Sequence, residues 1–185
     1  FGVILGTGVG GGIVVEGKVI VGAQAIAGEW GHNQLPRPGI DEFPGPTCYC
    51  GRNGCIETFL SGPAMARDHA VACGQSCTAE EIGELARQGD EIAVATLDRY
   101  VDRLGRALAS VVNLLDPDII VLGGGMSNLP DQAERTVLAT EPHVFTDRPR
   151  VTIVTNVHGD SSGVRGAAWL WNTNQKQACS SAAQE

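Results

Sequence analysis

Two rhythms of hydrophobic and polar residues run along this chain. Residues 1–5 form a short apolar run, residues 6–12 are almost all glycine, and apolar runs at 13–15 and 19–21 flank a Glu16-Gly17-Lys18 turn. That order predicts a strand, a glycine loop and a hairpin. The longer rhythm comes later. Ile92, Leu97, Val101, Leu104, Leu108, Val111 and Leu115 recur mostly at three- and four-residue steps, which predicts one apolar stripe on a long helix ended by Pro117. Ahead of it, 61–72 reads as a helix, and Thr78-Ala79-Glu80-Glu81 matches a capping box opening another helix to about Gln88. Residues 118–122 read as a buried strand turned by Gly123-Gly124-Gly125. A helix near 131–140, a strand near 151–154 and a last helix over 163–171, capped by Asp160 or Ser161, complete an α/β pattern. The polar tail 172–185 reads as disordered. Residues 22–54 have little periodicity and much glycine and proline, and a stretch of that length needs something to hold it.

Composition narrows the function. Hydrophobic residues make up 43% of the 185, enough for a core. Net charge is −8, from 13 Lys+Arg against 21 Asp+Glu, with no basic cluster, so no nucleic-acid partner is expected. An anionic ligand remains compatible, because backbone amides and Mg²⁺ can hold phosphate. No apolar run reaches about 18 residues, so no membrane partner is expected. No charged leader with a cleavage site precedes the first strand, so a cytoplasmic location is expected. A start at Phe1, in mid-strand, reads as an excised piece of a longer chain.

Chemistry concentrates in three places. Cys48, Cys50 and Cys55 lie close together, while Cys73, Cys77 and Cys179 are scattered. Three thiolates with Gly51 and Gly54 between them can converge on one tetrahedral ion, and His32 is the natural fourth donor. A fully occupied Cys₃His set is a structural zinc site, and it would order the Gly/Pro-rich stretch. The other reading is three free buried thiols. Glu29 precedes His32 by three residues, and Glu57 follows Cys55 by two. Anchored to one metal, both are expected to accept hydrogen bonds from sugar hydroxyls, rather than to serve as solvated surface charges. In the loop Gly6, Thr7, Gly8, Gly10 and Gly11, backbone amides could cradle phosphate, or the loop could simply open a hairpin; no Walker lysine follows. Gly123, Gly124 and Gly125 follow a buried strand, where open α/β sheets place ligands, or they serve a turn that needs positive φ. His69 and His143 carry no pattern and read as core or surface filler.

Ala27-Gly28-Glu29-Trp30-Gly31-His32 and Cys48-Tyr49-Cys50-Gly51-Arg52-Asn53-Gly54-Cys55-Ile56-Glu57 resemble the E-x-G-H and C-x-C-G-x-x-G-C-x-E elements of the ROK family of sugar kinases and sugar-responsive repressors. Residues 114–127 resemble its adenosine-side segment, and residues 158–171 are similar to the end of its bacterial fructokinases (mannofructokinase type). The resemblance implies an actin-like, hexokinase-like ATPase (ribonuclease H-like) fold. Residues 1–171 would be its C-terminal lobe with a zinc loop at 28–57, and the last helix would pack on an N-terminal lobe. It implies Zn²⁺ on His32, Cys48, Cys50 and Cys55, and a hexose (fructose favoured) against Glu29, His32 and Glu57. ATP with Mg²⁺ would sit against Gly6, Thr7, Gly8, Gly10, Gly11, Gly123, Gly124 and Gly125, in a homodimer. The family's D-x-G-G-T-K loop and catalytic N-D-A-N aspartate do not occur here, so no catalytic residue is expected in this chain and it is expected to be inactive alone. A repressor's sugar-sensing domain and a purely structural zinc module are the rival readings.

Overall fold

The computed structural model describes residues 1–159 together with Gly163 and Gly166. The rest of the expected last helix, its cap and the tail 172–185 lie outside the described residues.

The central sheet has four strands, β1 (Gly2–Leu5), β2 (Val9–Gly12), β5 (Ile120–Gly123) and β6 (Ile153–Thr155), in the order β2-β1-β5-β6. A separate two-stranded hairpin, β3 (Val14–Val15) with β4 (Lys18–Val19), matches the expected turn at Glu16-Gly17. β1 pairs antiparallel with β2 and parallel with β5, which pairs parallel with β6. Half of the expected glycine loop is therefore strand. Glycine has little strand preference of its own, and pairing with the apolar β1, from Gly2 opposite Gly12 to Leu5 opposite Val9, imposes the extended form. Gly123 is likewise a strand residue opposite Ile4, not part of the turn.

The helices are α1 (Glu57–Leu60), α2 (Gly62–Cys73), α3 (Ala79–Arg87), α4 (Glu91–Leu115) and α5 (Gln132–Thr140). The predicted stripe buries Leu97, Leu104 and Leu108 almost completely, while its end residues Ile92 and Leu115 stay 41% and 44% exposed. Tyr100 joins the buried face and donates its hydroxyl to the Leu60 carbonyl at 3.0 Å. The capping box forms as predicted: the Glu81 amide donates to Thr78 Oγ1 at 3.2 Å, and the Thr78 amide to Glu81 Oε2 at 2.7 Å. Ser61 caps α2 by accepting from the Ala64 amide at 3.3 Å. His69 is buried against Thr96 and His143 bonds Arg37, the filler roles expected of them. Among the described residues no helix is long and apolar enough to cross a membrane.

Residues 22–54 contain two short 3₁₀ turns, Trp30–His32 and Ile40–Glu42. A metal is not their only possible anchor. Glu42 is buried and accepts from Arg103 Nε at 2.7 Å and from Arg106 Nη2 at 2.9 and 3.0 Å; Arg103 also reaches Asp68 at 3.0 Å. Arg106 further donates to the Pro36 and Arg37 carbonyls at 3.0 and 2.8 Å. Burial pushes the Glu42 carboxyl upward, yet the bonds from Arg103, Gly39 and Arg106 outweigh it and hold its pKa below the ordinary range.

Candidate functional site

Strand β2 is the floor on which the segment carrying Glu29 and His32 is laid. The segment Gly28-Glu29-Trp30-Gly31-His32 crosses it at very close range. A Cβ on Gly31 would fall on the Val9 carbonyl, and one on Gly28, at φ +100, would fall on the Gly11 carbonyl. Only glycine permits such an approach. Between these two, Trp30 is buried, packs edge-on to Phe1 with ring centroids 5.9 Å apart, and donates its indole N–H to the Gly10 carbonyl at 2.8 Å. The segment is thus fastened to β2 through Gly28, Trp30 and Gly31, with Glu29 exposed and His32 beside Cys48. Glu57, at the start of α1, approaches β2 from its other end. Its Oε2 accepts the Val9 amide at 2.9 Å, and a Cβ on Gly8 would stand 2.6 Å from that oxygen.

The four expected metal ligands come together. The ligand atoms of His32, Cys48, Cys50 and Cys55 all lie within 4.8 Å of one another. Bonds of about 2.3 Å to sulfur and about 2.0 Å to nitrogen at a tetrahedral centre would hold ligand atoms about 3.6–3.8 Å apart. Cys48 Sγ stands 3.5 Å from His32 Nδ1, and Cys50 Sγ 3.6 Å from Cys55 Sγ. The donor set fits zinc in spacing and in chemistry. Tight turns supply that geometry: the Cys48 amide bonds the Arg52 carbonyl at 2.7 Å, the Gly51 amide the Cys48 carbonyl at 2.9 Å, and Gly51 and Gly54 take positive φ. The backbone amide of Arg52 is the main cause that brings the Cys50 thiol down to about 7, while burial, followed by the neighbouring thiols Cys50 and Cys48, pushes Cys55 up to about 12.

A second group had no signal in the sequence reading. The Tyr49 hydroxyl lies 2.8 Å from His32 Nε2, with the two rings edge to face. Desolvation first, then the negative charges of Glu57, Cys48, Glu29 and Cys50, raise its pKa. His32 thus touches the Tyr49 hydroxyl directly, and the charges of Glu57 and Glu29 act on it through space. The position of Tyr49 between two ligand cysteines was the available clue.

On the far side of the β1–β2 loop lies a cavity of about 510 Å³, within the range usual for small-molecule sites. Gly6 and Thr7 line it with Gly62 and Pro63 at the start of α2, Ala79, Glu80, Gly83 and Arg87 of α3, and Gly125, Met126, Asn128 and Leu129. The N-terminal ends of α2 and α3 both contribute to this lining, and such ends favour anionic groups. The Gly62 amide bonds the Gly6 carbonyl at 2.8 Å and fixes the loop to α2. Of the glycines expected to hold nucleotide, Gly6 and Gly125 line the cavity, as does Thr7. Gly8, Gly10, Gly11, Gly123 and Gly124 stand outside its lining, and packing accounts for most of them. Gly11 lies under Phe1, and Gly124, at φ +82, is pressed against Leu5.

Residues 1–174 match the ROK family. N-acetyl-D-glucosamine kinase of Escherichia coli (strain K12 / DH10B) is 43% identical over 179 residues, covering 94% of this chain and 58% of that protein. The chain thus spans about three fifths of the length of this curated relative. Among solved structures, a ROK hexokinase from Thermus thermophilus superposes with a TM-score of 0.77 at 31% identity, covering 90% of this chain and 54% of that one. A ROK family glucokinase from Streptomyces griseus, in complex with glucose and AMPPNP, gives 0.75 at 29% identity, covering 91% and 59%. The fold is that of ROK hexokinases and glucokinases, as expected. These relatives are named for N-acetylglucosamine, hexose and glucose, and none of the three is named a fructokinase.

Proposed function

The chain belongs to the ROK family, and from that premise we propose that it holds both substrates of an ATP-dependent kinase whose sugar is N-acetylglucosamine. The observation that carries the reading is the short loop between β1 and β2. Gly6 and Thr7 line the cavity, while Val9, two residues beyond Thr7, is bonded to Glu57 of the sugar-side cluster. A nucleotide in the cavity and a sugar on Glu29, His32 and Glu57 would meet across those residues. Phosphoryl transfer depends mostly on such positioning and on charge stabilisation.

In this reading the carboxylates of Glu29 and Glu57 accept sugar hydroxyls and orient the ring. Gly6, Thr7 and Gly125 shape the nucleotide end. Mg²⁺ bound with ATP would offset the phosphate charge, and Zn²⁺ on His32, Cys48, Cys50 and Cys55 would fix the orientation of the sugar acceptors. The attacking sugar oxygen forms a bond to the γ-phosphorus, the bond to the bridging oxygen of ADP breaks, and the hydroxyl proton passes to a base. By the family's pattern that base is the aspartate of an N-D-A-N element, which is not in this sequence. We therefore propose that the 185-residue chain binds both substrates but transfers phosphate slowly.

The test is a coupled ADP-release assay with N-acetylglucosamine, glucose and fructose on the full-length gene product that carries this chain, beside elemental analysis for zinc. Turnover with N-acetylglucosamine at the highest kcat/KM supports the proposal. Preference for fructose would restore the fructokinase reading. Sugar binding without turnover would favour the repressor's sensing domain, and zinc without sugar binding the structural module.

A further inference from the structure

The contacts of His32 fix the direction of a hydrogen bond. Its Nδ1 faces Cys48 Sγ at 3.5 Å, and its Nε2 faces the Tyr49 hydroxyl at 2.8 Å. A ring nitrogen that binds a metal does so through its lone pair, so zinc at Nδ1 requires the proton to be on Nε2. Nε2–H then donates to the Tyr49 oxygen, and the tyrosine's own proton is left to be given elsewhere. Tyr49 is 84% exposed as a residue, so the side chain is within reach of a ligand.

The two carboxylates of the proposed sugar site have the opposite character. Glu29 and Glu57, when ionised, only accept, and one oxygen of Glu57 already takes the Val9 amide. Such a pair suits the O–H and N–H donors of a sugar but offers nothing to a carbonyl oxygen. With the Nε2–H of His32 taken by Tyr49 and both carboxylates accepting, the Tyr49 hydroxyl holds the proton left to give among these four side chains. A plain hexose ring presents hydroxyls, which either kind of partner satisfies. An acylamino sugar also presents a carbonyl, which requires a donor.

We infer that Tyr49 is a specificity-determining residue, whose hydroxyl donates to the acyl carbonyl oxygen of an N-acylated amino sugar while accepting from His32. The inference rests on the sugar site proposed above and goes beyond it by naming the residue that separates the acylamino sugar from the plain hexose. Zinc binding and sugar choice would be linked through one imidazole: with Nδ1 turned to the metal site, His32 would carry its proton on Nε2 and leave the tyrosine proton free.

The experiment is Tyr49→Phe in the full-length gene product, which keeps the ring against His32 and removes only the hydroxyl. Loss of one neutral donor is expected to raise KM for N-acetylglucosamine about five- to tenfold. KM for glucose, KM for ATP and zinc content are expected to stay unchanged, and the unchanged zinc content shows that the loop has kept its fold. An equal loss for both sugars would assign Tyr49 to positioning His32 and overturn the inference, as would an unchanged preference. If the unmutated protein turns over glucose but not N-acetylglucosamine, the proposed substrate itself fails and the inference with it. A wild-type preference for N-acetylglucosamine that survives Tyr49→Phe overturns the inference alone.

Discussion

Val9 gives its backbone N–H to Glu57 Oε2 at 2.9 Å, a bond between residues 48 positions apart. It joins the loop whose Gly6 and Thr7 line the 510 Å³ cavity to the start of α1. Glu57→Gln keeps an oxygen for Val9 but loses the charge. It is expected to weaken sugar binding about tenfold or more, because hydrogen bonds to charged groups contribute about 1.5–3 kcal/mol, with little change in thermal midpoint. Glu57→Ala also leaves the amide unpaired and should lower stability by about 1–3 kcal/mol. Calorimetric titration with N-acetylglucosamine and thermal unfolding of both variants separate the two effects.

Purified protein is expected to contain about one zinc per chain, and Cys50→Ala to lose it together with much of the loop's order. The pH dependence has a definite sign. In the metal-free chain Cys55, pushed up to about 12, holds its proton at neutral pH, and Cys50, at about 7, is half protonated there. Zinc displaces those protons, so its affinity must rise with pH, by at least about tenfold per unit above pH 7 and more steeply below it. Competition with a chromogenic chelator from pH 6 to 9 measures the slope. A flat profile would mean that Cys55 is not a ligand.

Glu42 makes a second pH prediction. Its carboxyl is held below its ordinary value of 4.5 in the fold, so the stabilisation is complete above about 4.5 and is lost as pH falls through the lower folded value. Glu42→Gln should cost about 3–5 kcal/mol at pH 7, the range for breaking a buried pair, and should flatten the stability curve below pH 4.5. Glu81 and Glu84 are lowered too, but they are exposed and solvent screens them. Urea unfolding of both proteins from pH 3 to 7 gives the comparison.

Gly125 lines the cavity, and a Cβ there would meet nothing within 4 Å. Gly125→Val should therefore leave the fold within about 1 kcal/mol of wild type, as surface-type changes do, while its side chain takes space from the ligand. ATP affinity is expected to fall at least tenfold with sugar affinity retained, measured by titrating each separately. Unchanged ATP binding would place the nucleotide elsewhere.

The long helix, the capping box at Thr78 and the cysteine cluster were legible because each is a local pattern, carried by residues within a few turns of one another. The grip of Arg103 and Arg106 on Glu42 was not, since the partners are 61 and 64 positions apart and charges on an amphipathic helix read as its solvent face. Strand β2 was hidden for a related reason. Three of its four residues are glycine, and what makes it a strand is pairing with β1 and the clasp of Trp30. The same contacts explain Gly28 and Gly31, which looked like parts of a motif and serve as clearance for two carbonyls. In the glycine loop, sequence could name Gly6 and Thr7 but could not distinguish them from Gly10 and Gly11, because pairing with β1, not residue type, decides which glycines are left to line the cavity.

None of the cavity-lining residues comes from the segment 28–57 that carries the metal ligands. On the proposed reading the nucleotide end is therefore built without the metal, and zinc would act only on the sugar end. If that reading holds, a protein stripped of zinc would keep its affinity for nucleotide and lose its affinity for sugar.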